Sequence, residues 1–386
     1  MKKLLFASTL VLVFVACNRI PQPSENTVST QHIKLAKHPK NVILLIGDGM
    51  GIAQITAALY TNNNKLNLEQ FPIIGLHKSY ASNDLITDSA AGATAFACGV
   101  KTYNGAIGVN EDVQPVPTIL EEAEERGLAT GLIASSSITH ATPASFIAHV
   151  EQRKMMEAIA LDFLDTEIDL FIGGGKKYFD RREEDSRNLS KELESKGYKI
   201  SDYSQEELSD IAIDFDQNFG YFTADSEPLP RSQGRDYLVP AAKLAPIFLE
   251  KRSDKGFFLM LEGSQIDWGG HANNSEYIIS EMLEFDEVIG AMLAYAKEDG
   301  ETLVIVTADH ETGGYAINTG SEMGKIEGAF TTDKHTAALI PVFAYGPGAE
   351  LFAGTYENTA IYDKMRQALN FKGTPKVSGM TTSNSK

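Results

Sequence analysis

Six short apolar runs punctuate the chain, at 42–46, 128–134, 170–172, 257–261, 303–306 and 339–344. They are nearly continuous in Val, Ile, Leu and Phe instead of alternating with polar residues, the pattern of strands buried on both faces. Segments with apolar positions at helical spacing lie between them, at 52–60, 89–98, 118–126, 155–164, 277–297 and 359–369. Alternation of this kind predicts an α/β/α sandwich around a central, mostly parallel sheet. The stretch 176–237 is polar and less periodic and predicts an insertion or subdomain beside that sheet. The predicted domain covers 39–372, and the polar residues 373–386 read as a flexible tail.

The first residues follow a different pattern. Lys2 and Lys3 precede an apolar run over 4–16 that ends in Ala16. A positive start, a short apolar core and a terminal small residue read as a secretory leader over 1–16, not a fold element. Cys17 follows directly, which predicts a bacterial lipoprotein cleaved before Cys17 and acylated on it. Phe14 stands where such leaders usually carry Leu, so plain secretion with a disordered mature N-terminus is the alternative. Residues 17–38, with Pro, Ser, Gln, Asn and Thr, form a flexible tether. The chain is therefore expected to be exported, either periplasmic or anchored to a membrane by lipid. Beyond the leader no stretch reaches the roughly 18 apolar residues of a membrane helix. With lipid on Cys17, Cys98 has no partner, so no structural disulfide is expected.

At 386 residues and 43% hydrophobic content, the chain can bury one large core. The formal net charge is −18, and loss of Lys2 and Lys3 makes the mature chain more negative still. Such a field disfavours nucleic-acid backbones and repels anionic substrates. Any site for an anion such as phosphate must therefore be locally positive, and bound cations are the obvious means.

Open α/β sheets bind ligands outside the carboxyl ends of their strands. There the first run leads into Gly47-Asp48-Gly49-Met50-Gly51, and the second into Thr139-His140-Ala141-Thr142-Pro143. The fourth leads into Glu262-Gly263, and the fifth into Thr307-Ala308-Asp309-His310-Glu311. Each alone reads as a loop-capping Asp or a satisfied His. Together they deliver carboxylates, imidazoles and a hydroxyl to one edge, which suggests a multi-metal site. Asp267 and His271 add an i, i+4 pair that shares one face if helical, although Gly269 and Gly270 between them favour a looser turn. His335 precedes the last run. Ser89, in Thr87-Asp88-Ser89-Ala90, sits at a helix start, where free N–H groups and the dipole favour an anion. An ordinary N-cap at Asp88 or Ser89 is the bland alternative. His32, His38, His77 and His149 have no such company and read as surface or core residues.

Five segments resemble the alkaline phosphatase family, in the family's order: 41–51 (NVILLIGDGMG), 87–109 (TDSAAGATAFACGVKTYNGAIGV), 141–150 (ATPASFIAHV), 262–271 (EGSQIDWGGH) and 306–314 (VTADHETGG). The resemblance spans about 41–346. It implies a phosphomonoesterase with two zinc ions and a third metal, usually magnesium. Asp267, His271 and His335 would hold the first zinc. Asp48, Asp309 and His310 would hold the second, with the nucleophile Ser89 at its open position. Asp48 would also reach the magnesium, joined by Thr142 and Glu262. Arg153 falls eleven residues after Thr142, where the family places its substrate-clamping arginine. His140 and Trp268 occupy positions that vary within the family; they would tune the third metal and a water-mediated phosphate contact. Without a cation at 268, weaker phosphate retention and faster product release are expected. Only 25 positions separate His310 from His335, so large interface insertions are absent and a monomer or a homodimer is expected.

The mechanism so implied is attack of Ser89 on phosphorus, a phosphoserine intermediate and hydrolysis by water, with Arg153 gripping two phosphate oxygens. Other hydrolases of the superfamily are the nearest alternatives. Sulfatases need a Cys- or Ser-x-Pro-x-Arg motif, which SAAGA at 89–93 does not match. Phosphodiesterases usually carry Thr as nucleophile and no equivalent of Arg153. A non-enzymatic, exported metal- or phosphate-binding lipoprotein is the remaining alternative.

Overall fold

A computed structural model describes residues 37–377; the leader, the tether with Cys17 and His32, and residues 378–386 lie outside them. In chain order the strands are Asn41–Gly47 (β1), Ile73–Lys78 (β2), Ala129–Ser137 (β3), Leu170–Gly174 (β4), Lys199–Asp202 (β5), Phe219–Phe222 (β6), Phe257–Gly263 (β7), Thr302–Thr307 (β8), Glu311–Thr312 (β9), Ala316–Ile317 (β10), Gly328–Ala329 (β11), His335–Thr336 (β12), Ile340–Tyr345 (β13) and Gly354–Glu357 (β14). The helices are Ile52–Thr61 (α1), Ser89–Cys98 (α2), Ile119–Glu125 (α3), Ala141–Ala144 (α4), Met156–Asp162 (α5), Lys177–Asp180 (α6), Leu189–Ser195 (α7), Leu238–Arg252 (α8), Gln265–His271 (α9), Ser275–Asp299 (α10) and Ala360–Ala368 (α11).

Ten strands form one sheet in the order β14-β2-β13-β8-β1-β7-β3-β4-β6-β5. Neighbours pair in parallel except at β13, which runs against both β8 and β2. The register of β1 explains its unbroken apolar run. Val42, Leu44 and Ile46 enter the core shared with α2, α3, α5 and α11. Ile43 and Leu45 enter the opposite core, shared with α1, α8 and α10. A strand covered on both sides has no polar face, and each fully buried aliphatic side chain contributes about 1.5–3 kcal/mol. This is the predicted α/β/α sandwich.

The central strands match the apolar runs, while the sheet's margins depart from them. The final run forms β13 in the antiparallel sense. Strands β2, β5, β6 and β14 correspond to no isolated run; β5 and β6 come from the polar stretch 176–237 and extend one edge of the sheet. Helix α8 also escapes the pattern, since Pro246 lies inside it and proline normally argues against a helix interior. A buried Arg235 between Glu281 and Glu284 ties the segment before α8 to α10.

Segment 265–271 corrects one expectation: it is helix α9, not a loose turn. A Cβ on Gly269 would lie 2.7 Å from Ile278 N, and one on Gly270 2.8 Å from Thr312 Cβ. These glycines serve close approach to α10 and β9. Among the described residues no helix is long and apolar enough to cross a membrane.

Candidate active site

Strands β8, β1, β7 and β3 lie side by side at the centre of the sheet, and the residues just past their carboxyl ends converge. Asp48 follows β1, and its N–H donates to Gly263 O at the end of β7 (3.1 Å). Gly49 takes φ +74°, and a Cβ there would lie 2.7 Å from Asp267 Cα, so the turn requires glycine on both counts. Its N–H donates to Asp309 Oδ1 (3.3 Å), just past β8.

Three sets of ligand-capable side chains result, each with its donor atoms within 4.8 Å of one another. Asp48, Asp309 and His310 form an inner set; Asp267, His310 and His335 form an outer one; Asp48, His140 and Glu262 form a third. Shared members join them into one continuous cluster. His271 Nε2 borders the outer set, 3.1 Å from His335 Nε2 and 3.4 Å from Asp267 Oδ2. Thr142 Oγ1, on α4, is buried without a hydrogen-bond partner. His140 stands with Asp48 and Glu262, placed where it could serve as a donor.

Further groups orient these donors. His271 Nδ1 lies 2.7 Å from Asp333 O and His335 Nδ1 2.8 Å from Thr87 O. A carbonyl can only accept, so each Nδ1 carries the proton and each Nε2 is left free to bind a cation. Thr312 Oγ1 donates to Asp267 Oδ1 and lies 3.2 Å from His310 Nδ1, linking outer and inner sets. Ser264 and Ser136 hydroxyls donate to Glu262 Oε2, at 2.6 and 3.3 Å. Sequence reasoning missed all of these. The carbonyls have no sequence signal, whereas Thr312 and Ser264 each lie two residues past a motif acid or imidazole and were open to search.

Ser89 opens α2 behind the Asp88 cap, whose Oδ1 accepts from Ala91 N (3.0 Å). Its Oγ lies 3.4 Å from His310 Nε2. Arg153 reaches the same place: Nη1 is 3.1 Å from Asp88 Oδ2 and Nη2 3.4 Å from His140 Nε2. Trp268 packs edge-on against His140, with ring centroids 6.0 Å apart. The histidines without company have structural partners: His77 Nε2 lies 2.9 Å from Ala308 O, and His149 sits between Gly108 O and Glu121.

A sequence model of the family described as alkaline phosphatase matches residues 39–329. Alkaline phosphatase 3 of Bacillus subtilis is 35% identical, covering 94% of this chain and 96% of its own. The chain belongs to the alkaline phosphatase family. The alkaline phosphatase of Escherichia coli is 32% identical with 87% of each chain covered. The solved alkaline phosphatase of the Antarctic bacterium TAB5 is 46% identical over 88% of this chain and all of its own, with a TM-score of 0.82. A variant of that enzyme has been solved with magnesium bound in a site called M3. As an alkaline phosphatase, the chain is an enzyme that hydrolyses phosphate monoesters at a metal-binding site.

The charges at the centre of this alkaline phosphatase call for cations. Asp48 is held well above the usual carboxylate range, by burial first and then by repulsion from Asp309, Asp267 and Glu262. Burial likewise raises Asp309, against the attraction of His335. Glu262 is pushed up to about 8, chiefly by burial and against the Ser264 hydroxyl that stabilises its charged form. Burial and then the His335 imidazole hold His310 well below its ordinary value. His140 falls to about 3 through burial and Arg153. Both oxygens of Asp48, together with Asp309 Oδ2, Glu262 Oε1 and Thr142 Oγ1, are buried without a hydrogen-bond partner. Such an orphan costs about 1–3 kcal/mol, more if charged, and several in one place fit a built cation site.

Proposed function

We propose that this chain hydrolyses phosphate monoesters to alcohol and inorganic phosphate through a phosphoserine on Ser89, at a site taking two zinc ions and one magnesium ion. The observation that carries the proposal is the group of buried, unpartnered acceptors on Asp48, Asp309, Glu262 and Thr142, next to the imidazole that the Ser89 hydroxyl touches. Asp267, His271 and His335 would hold the first zinc, and Asp48, Asp309 and His310 the second; mixed imidazole and carboxylate donors suit that ion. Asp48, Thr142 and Glu262 offer oxygen, as magnesium prefers, and His140 adds one imidazole to that set. When bound, the cations supply the positive charge that lowers the pKa of the Ser89 hydroxyl and stabilises the entering and leaving oxygens.

Ser89 Oγ loses its proton and attacks phosphorus. A new P–O bond forms as the bond to the alcohol oxygen breaks, and the departing alkoxide takes up a proton. Water then attacks the phosphoserine, releasing inorganic phosphate and returning a proton to Ser89. Two in-line displacements leave the configuration at phosphorus retained. Arg153 is held from one side by Asp88 and from the other by His140, so its planar fork is preset for two phosphoryl oxygens. Ser89 stands at the N-terminus of α2, where the helix dipole favours an anion. Trp268 brings no charge to the phosphate, which favours release of the product. The proposal extends to export under the 1–16 leader, lipid on Cys17, a phosphatase domain over 39–372 with 176–237 inserted, and a periplasmic or membrane-anchored monomer or homodimer.

The test compares a chromogenic phosphate monoester, a diester and a sulfate ester, with zinc, magnesium or chelator. We expect monoester turnover to vanish in chelator and return with zinc. Full activity in chelator, or preference for the diester or sulfate, overturns the proposal. Acid-quenched enzyme should carry labelled phosphate in the parent and none in Ser89→Ala.

A further inference from the structure

Glu311 follows His310 in the chain, yet its carboxylate belongs to none of the three ligand-capable sets. It is only 6% exposed. Four neutral donors converge on it: Gln54 Nε2 (2.7 Å) and Tyr315 N (3.1 Å) on Oε1, and Gly314 N (3.2 Å) and the Thr336 hydroxyl on Oε2. They come from three separate places, namely α1, the turn after β9, and β12. Gly51 leaves room for the side chain, since a Cβ there would lie 2.4 Å from Glu311 Cγ.

What Glu311 holds matters to the cluster. Strand β12 is only His335 and Thr336, and it pairs with β9 alone, with His335 opposite Thr312 and Thr336 opposite Glu311. The residues just before it supply Lys334 O, which accepts from Gly313 N (2.9 Å), and Asp333 O, which orients His271. The imidazoles of His271 and His335 thus depend on one short segment outside the main sheet. Asp48, Asp309 and His310, by contrast, are fully buried beside the ends of long strands. The His271 side chain is 38% exposed.

We infer that Glu311 is a positioning residue that clamps β12 to α1 and β9, and so sets the metal affinity of Asp267, His271 and His335 more than that of the inner set. The inference rests on the zinc assignment proposed above. Groups that support metal ligands typically alter affinity by about 10- to 100-fold. The Glu311 carboxylate acts through β12, so the lower end applies.

The test needs no turnover. The full chain is dialysed against buffered free zinc, with magnesium in excess, and bound metal is read by elemental analysis. The parent should take up two tight zinc equivalents. Glu311→Ala should weaken one of them about tenfold and the other clearly less. Thr336→Val, nearly isosteric and lacking only the β12 hydroxyl, should weaken the same equivalent, and saturating zinc should restore the stoichiometry. Two unchanged affinities in folded Thr336→Val protein, or equal loss of both, overturn the inference; this variant also decides the matter if Glu311→Ala does not fold. His335→Ala separates the two levels. It should lose one equivalent outright, and a His335→Ala protein that keeps both overturns the zinc assignment itself.

Discussion

Gly270→Ala puts a methyl group where α9 crosses β9. The new Cβ would lie 2.8 Å from Thr312 Cβ and Cγ2 and 2.9 Å from Thr312 O. Comfortable carbon contacts begin near 3.5 Å, so helix and strand must part by about 0.7 Å. Two effects oppose each other. Alanine gains about 1 kcal/mol over glycine inside a helix, while overpacking costs about 1–3 kcal/mol. The net expectation is a loss of about 0–2 kcal/mol, or at most a few degrees in the unfolding midpoint. Activity should suffer more, because Thr312 links Asp267 to His310 and Gly270 lies between Asp267 and His271. A misplacement near 1 Å costs on the order of 100-fold, so kcat/KM should fall about 10- to 100-fold at saturating metal. Thermal unfolding at fixed zinc, together with kcat/KM on a chromogenic monoester, measures both. A gain in stability of about 1 kcal/mol with unchanged kcat/KM would refute the reasoning, since helix propensity alone would then be at play.

Three other outcomes are expected. Arg153→Ala loses two charge-assisted hydrogen bonds to phosphate at about 1.5–3 kcal/mol each; KM should rise, kcat should fall, and kcat/KM should drop by about 10²- to 10⁴-fold. Arg153→Lys should restore little, because a point charge lacks the fork. Trp268→Lys should tighten inhibition by inorganic phosphate; an unchanged inhibition constant rejects the role given to Trp268. For the metal-free protein, Glu262 is raised from 4.5 to about 8. A carboxyl raised on folding stabilises below its unfolded value, and that contribution is lost as pH rises through the folded one. The buried imidazoles of His77 and His140, lowered to about 4 and 3, oppose this below about pH 6.5, so the unfolding midpoint in chelator should fall between about pH 6.5 and 8, and magnesium, the ion given to Glu262, should flatten the fall. Glu124 and Asp162, away from the cluster, are also pushed up by burial, to about 8 and about 6, so the site's part is the slope that Glu262→Gln removes. A slope above about pH 6.5 that Glu262→Gln leaves unchanged contradicts this account.

Much of the architecture and most candidate donors were legible in the sequence. Burial on both faces turns β1, β3, β7 and β8 into apolar runs, and the residues that end those runs are the acids and imidazoles of the cluster. Short strands such as β5 and β14 leave no such trace, because half-exposed edge strands need no continuous apolar side chains. The helical state of 265–271 was hidden too. Glycine propensity argued against it, and only the crowding of Ile278 and Thr312 explains the residues chosen.

By itself, then, the sequence determined which residue types stand at the central strand ends and in what order, because periodicity and local motifs are written in neighbouring residues. Only the tertiary structure decided how those groups are aimed. The carbonyl that orients His335 belongs to Thr87, 248 residues earlier, and every residue carries a carbonyl. Which one meets an imidazole depends on how distant strands pack together, and no local pattern records that.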